Sequence, residues 1–596
     1  MDSPGRHSIS PPEPPAFLLE DVISTAAIAV SLPGPGREEY LQQEVAFNER
    51  SSAVPEFEDC VLDGHTLSLD LLHRIAVGQG RIVLDERMLH RVADCRAALL
   101  AAIKAGQPVY GTTTLVGAFK DRTVDPQEID SYNRRLMNSH HLGIGEPQDE
   151  TIVRAAIAVR INTAMTGSAG ASPALLTALC ELLNAGITPL VREYGSIGCA
   201  DVGLMAQIGS VLMGGGEVIR PGCLAPGHIV PGADALAQAG LPPFLPGPKD
   251  AMVLISSNAL TMASVALSVG NLRRAFFAAF AAYGVSCAGF GAFRTPWLAA
   301  CRIGSDAESR VAAFFIESFR EDQWVSRGNI QDPLSFRCMP QIAGAAVAAL
   351  EHVEAVLAHS LNASDDNPIV AGEDILPSGG SLPLELTLAV ESLMLAVAHL
   401  GRAAFNRILV MCRDDISGLP RNLTPLDGSV IAFGAATKQA ADLCVTLLHE
   451  SMPVSIYQTT VANGIEDEAT NLPLVARKLR RQADLFGKLI AHEAVVAAQS
   501  LWLSPVPAQL EGLAGTAARL VGSVVAPVDD QRMLSMDFMA AERSLFDRDW
   551  LDRIMVRFPL RTAGAAARGQ CWSDSQAWFD PPVRTDLAEH VAGDAG

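Results

Sequence analysis

Glu193-Tyr194-Gly195-Ser196-Ile197-Gly198-Cys199-Ala200-Asp201-Val202-Gly203-Leu204-Met205-Ala206-Gln207 closes the first third of a 596-residue chain. It follows Asn184-Ala185-Gly186-Ile187-Thr188-Pro189-Leu190-Val191, a helix stop and an apolar run, and it opens an apolar segment that lasts to Met213. Glycine and other small residues let the backbone turn tightly, and the residues after them begin a helix whose first N–H groups have no intrahelical partner. A turn of this kind can hold an anion or an unusual backbone group.

Outward from that turn the material is ordinary for a globular protein. Hydrophobic side chains make up 49% and charged ones 19%, enough for a large core or several packed subdomains. The net charge of -21, without a large lysine or arginine cluster, argues against binding nucleic acid or an anionic membrane. The 11 cysteines run from Cys60 to Cys571 without a C-x-x-C pair, so no metal or thioredoxin-type site is expected, and reduced thiols in the cytoplasm are the natural reading. The apolar run Ile23 to Leu32 follows Glu20 and Asp21, which is unlike a secretory signal.

Two later stretches, Met252 to Leu272 and Ala275 to Phe293, meet the length rule for membrane helices. Their small residues, with Ser256, Ser257 and Asn258, suit a central buried helix instead, and no membrane partner is expected.

In chain order, residues 1–60 are rich in Pro and Glu and read as a loosely ordered extension. Leu67 to Ala76 reads as a strand or turn entering a helix, Asp85 to Ala105 as a helix, and Val109 to Gly117 as a loop. From Asp130 to Met213 and from Lys249 to Leu520, Ala, Leu and Val recur at helical spacing, which predicts long packed helices and little sheet. The expected division is an N-terminal domain with the site loops over 61–248, a central helical bundle over 249–520, and a C-terminal helix and tail over 521–596. Asp537 to Phe558 reads as one amphipathic helix docked on the bundle.

Several motifs carry a resemblance. They are Tyr110-Gly111-Thr112-Thr113-Thr114-Leu115-Val116-Gly117, Gln331-Asp332-Pro333-Leu334-Ser335-Phe336-Arg337-Cys338-Met339-Pro340-Gln341, Leu361-Asn362-Ala363-Ser364-Asp365-Asp366-Asn367-Pro368, and Ala462-Asn463-Gly464-Ile465-Glu466-Asp467. With the turn at Gly195, the chain from Leu67 to Leu501 resembles the histidine and aromatic amino-acid ammonia-lyase family. The resemblance implies a mainly α fold, a long antiparallel helical bundle with a smaller mixed N-terminal domain. It also implies a homotetramer with sites built between neighbouring subunits. Tyr110 falls on the catalytic base, and Arg337, in a motif with Gln331 and Leu334, falls on the arginine that holds the substrate carboxylate. Glu466 matches a late glutamate. Ser139 and His140 match the pair that selects the substrate side chain, where Ser-His is the pair of histidine-type members. Ser256 stands where the family has a substrate-holding asparagine, with Asn258 close by.

The departures fall on the site. In the family an Ala-Ser-Gly triplet cyclises into the electrophile methylidene-imidazolone, whereas this chain reads Gly198-Cys199-Ala200-Asp201. Alanine in the middle position cannot supply the methylidene, and if Cys199 takes that position, Ala200 replaces the flexible glycine. Leu334 replaces a tyrosine, Ser360 a glutamate, and Ser381-Leu382-Pro383 an Asn-Phe-His run. No methylidene-imidazolone and no other cofactor is therefore expected. Cys199 and Asp201, at a helix start that favours negative charge, join Tyr110 and Glu466 as candidate catalytic groups.

Three readings stay open. One is a base-driven elimination or isomerisation on a carboxylate-bearing or acyl small molecule, free or delivered on a carrier protein. The second is an ammonia-lyase or aminomutase for histidine or an aromatic amino acid, with an atypical precursor. The third is a silent family member acting as a subunit or binding protein.

Overall fold

The computed structural model describes residues 59–561, apart from 220–228, 329, 425–431, 458–459, 506–507 and 529–532. The expected extension up to residue 58 and the tail beyond 561 lie outside the described residues. The described chain belongs to one compact unit, and the boundaries expected near 248 and 520 fall inside it.

Six helices carry the core: α1 (Glu150–Met165), α2 (Ala259–Phe290), α3 (Met339–Ser360), α4 (Leu384–Met411), α5 (Ala436–Glu450) and α6 (Leu472–Leu503). The fold is mainly α, as the helical spacing and the resemblance imply. α2 is rich in Ala, Gly, Ser and Val and is buried on nearly every side, so neighbouring helices approach it all round, α6 most extensively. It ends where Gly291, at φ +74°, turns into the left-handed region that an L side chain resists.

The two apolar stretches expected around residue 274 are in fact one helix. The break lies earlier, at Ser256-Ser257-Asn258, between a short helix (Asp250–Ile255) and α2. Arg273 and Arg274 do not interrupt α2, because each reaches outward to a carboxylate, Glu354 at 2.6 Å and Asp552 at 2.9 Å. Asp250–Phe290, α3 and α4 are long and apolar enough to cross a membrane by length and composition; in the first, 94% of the apolar window is buried inside the protein.

The N-terminal portion is mixed. Cys60–Leu62 pairs in parallel with Ile82–Leu84, and Thr188–Pro189, Glu217–Ile219 and Ile229–Pro231 form an antiparallel sheet. Ile144–Pro147 pairs antiparallel with Arg192–Tyr194, with Ile144 opposite Tyr194, and so fixes the entry to the Gly195 turn. The helices expected here form with good caps: Ser68 accepts from the Leu71 N–H before Leu69–Ala76, and Asp85 from the Met88 N–H before Glu86–Lys104.

The single amphipathic helix expected over 537–558 is two, Leu534–Leu545 and Arg548–Arg557. The carboxylate of Asp547 accepts from the Trp550 N–H at 2.9 Å and starts the second. The first lies on α6, where the Phe538 ring stacks on His492 with centroids 3.9 Å apart.

Aromatic packing locks the far end of α2. The Phe315 ring is fully buried, with centroids 5.1 Å from Tyr283, 5.5 Å from Phe280 and 5.7 Å from Trp297. Truncation there leaves a cavity that close-packed neighbours cannot fill, so Phe315→Ala should lower stability by about 3–5 kcal/mol. A denaturant midpoint equal to that of the wild type would show that the cluster relaxes freely.

Candidate active site

The loop that carries Tyr110 is tied to itself. The amides of Thr112 and Thr113 both donate to the Val109 carbonyl, at 3.0 and 2.9 Å, and the Thr113 hydroxyl accepts from the Val109 N–H at 2.7 Å. At its far end the Gly117 N–H donates to the Tyr110 hydroxyl at 2.9 Å. Burial pushes that phenol above its ordinary value, an effect the Gly117 N–H opposes and the carboxylate of Glu466 and the thiol of Cys199 reinforce. Tyr110, Glu466 and Cys199 thus share one neighbourhood. The positive charge that a tyrosine base calls for does not outweigh that burial within the chain.

The turn at Gly195 is held from three sides. The Asn471 N–H donates to the Ile197 carbonyl at 2.9 Å, and the Thr470 hydroxyl to that of Gly198 at 2.8 Å. The Ala200 N–H donates to the Ser381 carbonyl at 3.0 Å, and the Ser196 hydroxyl closes the turn onto the Ala200 carbonyl at 3.0 Å. Ala200 itself sits at φ +59°, a left-handed conformation that costs an alanine about 1–2 kcal/mol.

The helix Val202–Leu212 does start just after the turn, yet it activates neither candidate there. Burial raises the Cys199 thiol above its usual value, opposed by the Ser381 hydroxyl 3.9 Å from Sγ and reinforced by Glu466. Burial likewise raises Asp201 to about 6, against the hydrogen bonds from Thr261. Both Asp201 oxygens are taken, by the Thr261 N–H at 2.8 Å and the Thr261 hydroxyl at 2.7 Å, in a side chain with no exposure. Asp201 therefore pins the turn to the first turn of α2 and does not face a substrate.

Asn258 is buried beside the turn, its side-chain N–H₂ donating to the Ser381 carbonyl at 2.9 Å while Oδ1 has no partner. Ser256 is buried at the end of the Asp250–Ile255 helix. Ser139 and His140 close the helix Ile129–Ser139. The Ser139 hydroxyl donates to the Leu136 carbonyl at 3.0 Å, and His140 Nδ1 lies 2.8 Å from the same oxygen, so that nitrogen carries the proton and Nε2 is left as acceptor.

Gln331, Leu334 and Arg337 form a separate group. Gln331 and Leu334 are exposed, and Arg337 is half-buried in the short helix Leu334–Arg337. Its guanidinium makes no hydrogen bond or ion pair among the described residues, and its Nε is buried without a partner. Arg407 holds this helix from below, donating to the Ser335 carbonyl at 2.9 Å while gripping Glu493 with Nε and Nη2. The Tyr283 hydroxyl donates to the Phe336 carbonyl at 2.9 Å. No hydrogen bond or ion pair among the described residues joins Arg337 to Tyr110, Cys199 or Glu466.

Sequence reasoning missed three contributors. Ser381, seen there only as a replaced position, joins Cys199, Ala200 and Asn258. Asp365 and Asp366, seen only as motif residues, are buried acids paired with Arg160 at 2.9 Å and with Lys249 at 3.0 Å, respectively, and Arg160 also holds Asp366. Asp365 accepts from the Ser257 hydroxyl at 2.9 Å and the Asn258 N–H at 2.7 Å, which fixes the start of α2. Two adjacent acids inside an apolar chain, with buried Lys249 and Arg160 elsewhere, were the available signal.

Gly198 shows how tightly the turn is set. It lies at φ +84°, and a Cβ there would meet the Thr470 hydroxyl oxygen at 2.3 Å and the Leu472 nitrogen at 2.8 Å. Gly198→Ala should cost about 1–3 kcal/mol and shift the turn. A variant with unchanged melting temperature and activity would remove this constraint.

The Aromatic amino acid lyase family model matches residues 67–521. The histidine ammonia-lyase of Anaeromyxobacter dehalogenans is 30% identical over 499 residues, 82% of this chain and 98% of that protein. Among solved structures, Ergothionase from Treponema denticola, an ergothioneine degrading enzyme in complex with desmethyl-ergothioneine sulfonic acid, superposes with a TM-score of 0.77 at 29% identity. It covers 83% of this chain and 99% of its own. Tyrosine aminomutase from Streptomyces globisporus shares the fold, with a TM-score of 0.79 at 24% identity over 84% of this chain and 99% of its own. These matches correct the expectation that no prosthetic group belongs here, because members of this family carry methylidene-imidazolone. The residues at its place, Gly198-Cys199-Ala200, do not match the Ala-Ser-Gly precursor, so the chemistry below rests on this chain's own side chains. With a match that spans most of its length and a relative covered almost end to end, the chain is an enzyme of the aromatic amino acid lyase family, on the carbon–nitrogen lyase side of that chemistry.

Proposed function

We propose that the chain catalyses a base-driven elimination of an amine from a carboxylate-bearing substrate with an imidazole-type side chain, and that its best substrates carry the nitrogen as an alkylated ammonium. The observation that carries this reading is the Tyr110 hydroxyl, seated beside Glu466 and Cys199 and held by the Gly117 N–H. The Glu466 carboxylate suits a cationic substrate, whose ammonium charge lowers the phenol that burial has raised. The phenolate takes the proton from the carbon β to the carboxylate, the C–H pair becomes the new double bond, and the C–N pair leaves with the nitrogen. A trialkylammonium departs in this way as a neutral tertiary amine without further activation. Ergothioneine, on which the Treponema denticola enzyme acts by its name, is a trimethylammonium betaine with a carboxylate and a sulfur-bearing imidazole. The His140 Nε2 acceptor supports recognition of an imidazole N–H.

Arg337 is the carboxylate clamp of this reading, since a guanidinium fork matches two carboxylate oxygens and this one makes no hydrogen bond or ion pair among the described residues, with Asp332 acting on it only through its charge. Its place on a segment distant in sequence from Tyr110, with no hydrogen bond or ion pair between the two among the described residues, supports a site completed by a second copy of the chain, in a homotetramer. Histidine itself is the competing substrate, supported by the names of the relatives.

The test is amine release from ergothioneine and from histidine trimethylbetaine, measured beside ammonia release from histidine. Tertiary amine from the betaines is the expected product. Ammonia from histidine, with the betaines inert, would replace this reading with the histidine one. Tyr110→Phe should lower kcat by about 10²–10⁴-fold, and unchanged turnover would remove Tyr110 from the mechanism. Co-assembled Tyr110→Phe and Arg337→Gln chains, each inactive alone, should recover roughly a quarter of wild-type activity; no recovery would place both residues in one chain's site.

The base also sets the pH dependence. Because the Tyr110 phenol lies above its ordinary value of 10, the reactive phenolate of the free enzyme grows as pH rises. kcat/KM should therefore climb about tenfold per pH unit from neutrality, without a plateau below about pH 10. A profile flat between pH 7 and 9 would exclude a free-enzyme tyrosine of raised pKa as the base.

A further inference from the structure

Two cavities of about 400 Å³ each meet at Asn271, Arg274 and Arg548, and none of the candidate active-site residues lines either of them. They lie where the middle of α2 meets the Leu69–Ala76 helix, the first half of α6 and the two C-terminal helices. Their charge is unusual for a chain of net charge -21. Arg274 Nε lies 2.9 Å from Asp552 Oδ1 and Arg548 Nε 3.6 Å from Asp552 Oδ2, so two guanidinium groups share one carboxylate, itself 47% exposed.

Among the neighbours, Asp70 lines the second cavity and acts with Asp549 on Arg548, while Asp484 and Glu542 of the first cavity pair with Lys488. Arg548 donates to Nε2 of His73, which therefore stays neutral; burial, with the charges of Arg548 and Arg274, holds that ring down to about 4. Burial and then Arg274 depress Arg548 in turn, against Asp552, Asp70 and Asp549. Arg273 is spent on Glu354 at 2.6 Å. Beside this cationic wall, Leu69, Leu267, Met555 and Val556 give the second cavity an apolar floor.

The geometry points to a binding site for a small oxyanion, held in the fork between Arg274 and Arg548 and separate from the active site. Such an anion relieves the repulsion between the two guanidinium groups and supplies the acceptors that one shared carboxylate cannot. The cavity volume falls within the range of small-ligand sites. A phosphate and a carboxylate present the same chemistry to the fork. They differ at the floor, which only a carboxylate with a hydrocarbon body covers.

Calorimetric titration of the full chain at fixed ionic strength, with inorganic phosphate in one arm and hexanoate in the other, tests the assignment. Saturable binding of at least one titrant is expected, weakened at least about tenfold in Arg274→Gln and in Arg548→Gln. Binding should be partly kept in Arg548→Lys. Tighter phosphate identifies a free oxyanion site, and tighter hexanoate an organic carboxylate site. No saturable binding of either to the wild type overturns the proposal. So does binding equal to that of the wild type in the Arg274 and Arg548 variants. Far-ultraviolet circular dichroism of each variant separates a lost site from a lost fold, and Arg548→Lys, which keeps the charge, decides the case if the glutamine variants unfold.

Discussion

The four buried charges Arg160, Lys249, Asp365 and Asp366 are the constraint on which the rest of the site depends. Removing four ions from water is costly, and such a cluster is tolerated only when each charge has partners at hydrogen-bond distance, as these do. Its contribution to net stability is correspondingly small, but breaking one member leaves an uncompensated charge at a cost of about 3–5 kcal/mol. The cluster therefore acts as a lock rather than as a source of stability. Through Asp365 it fixes Ser257 and Asn258, through the Ser257 carbonyl it receives the Asp201 N–H, and through Asp201 it sets the turn that carries Cys199.

A second buried pair does the same for the opposite group. Arg407 and Glu493 are joined by two hydrogen bonds, with the Ser286 hydroxyl also donating to Glu493, and Arg407 donates to the carbonyl of Ser335 and so fixes the helix that ends in Arg337. Both locks sit against α2, one at its start and one towards its end. A helix buried on nearly every side cannot shift without breaking its packing, so the two functional groups keep their positions relative to it.

The sequence carried the scaffold more openly than the site. Small apolar residues at helical spacing announced α2, α6 and the helix that Asp85 caps, because that signal is local. The position of the helix break before α2 was not legible, since Arg273 and Arg274 look like an interruption until their distant partners Glu354 and Asp552 are known. The same holds for Asp201. Beside a helix start it looks like an activated acid, and only the fold shows that Thr261, sixty residues on, consumes both of its oxygens. Cys199 fails as an activated thiol for a related reason: burial opposes the charged form more strongly than a short helix favours it. The Tyr110 and Arg337 motifs were legible, and the resemblance already implied sites built between neighbouring subunits; among the described residues no hydrogen bond or ion pair joins the two groups.

That separation has a physical logic. Were Arg337 within reach of Glu466 in the same chain, the two would pair, and the clamp would be neutralised before a carboxylate arrived. Without such a pair, the chain presents the Glu466 carboxylate beside Tyr110 and, on another segment, the Arg337 guanidinium in the field of the buried Asp332. In the proposed reaction a zwitterion satisfies both at once, its ammonium beside the Glu466 carboxylate and its own carboxylate against the guanidinium. The raised phenol then becomes part of the selectivity in the proposed reaction. A neutral or anionic ligand leaves Tyr110 protonated, whereas a cationic one draws off its proton at the moment when the base is needed.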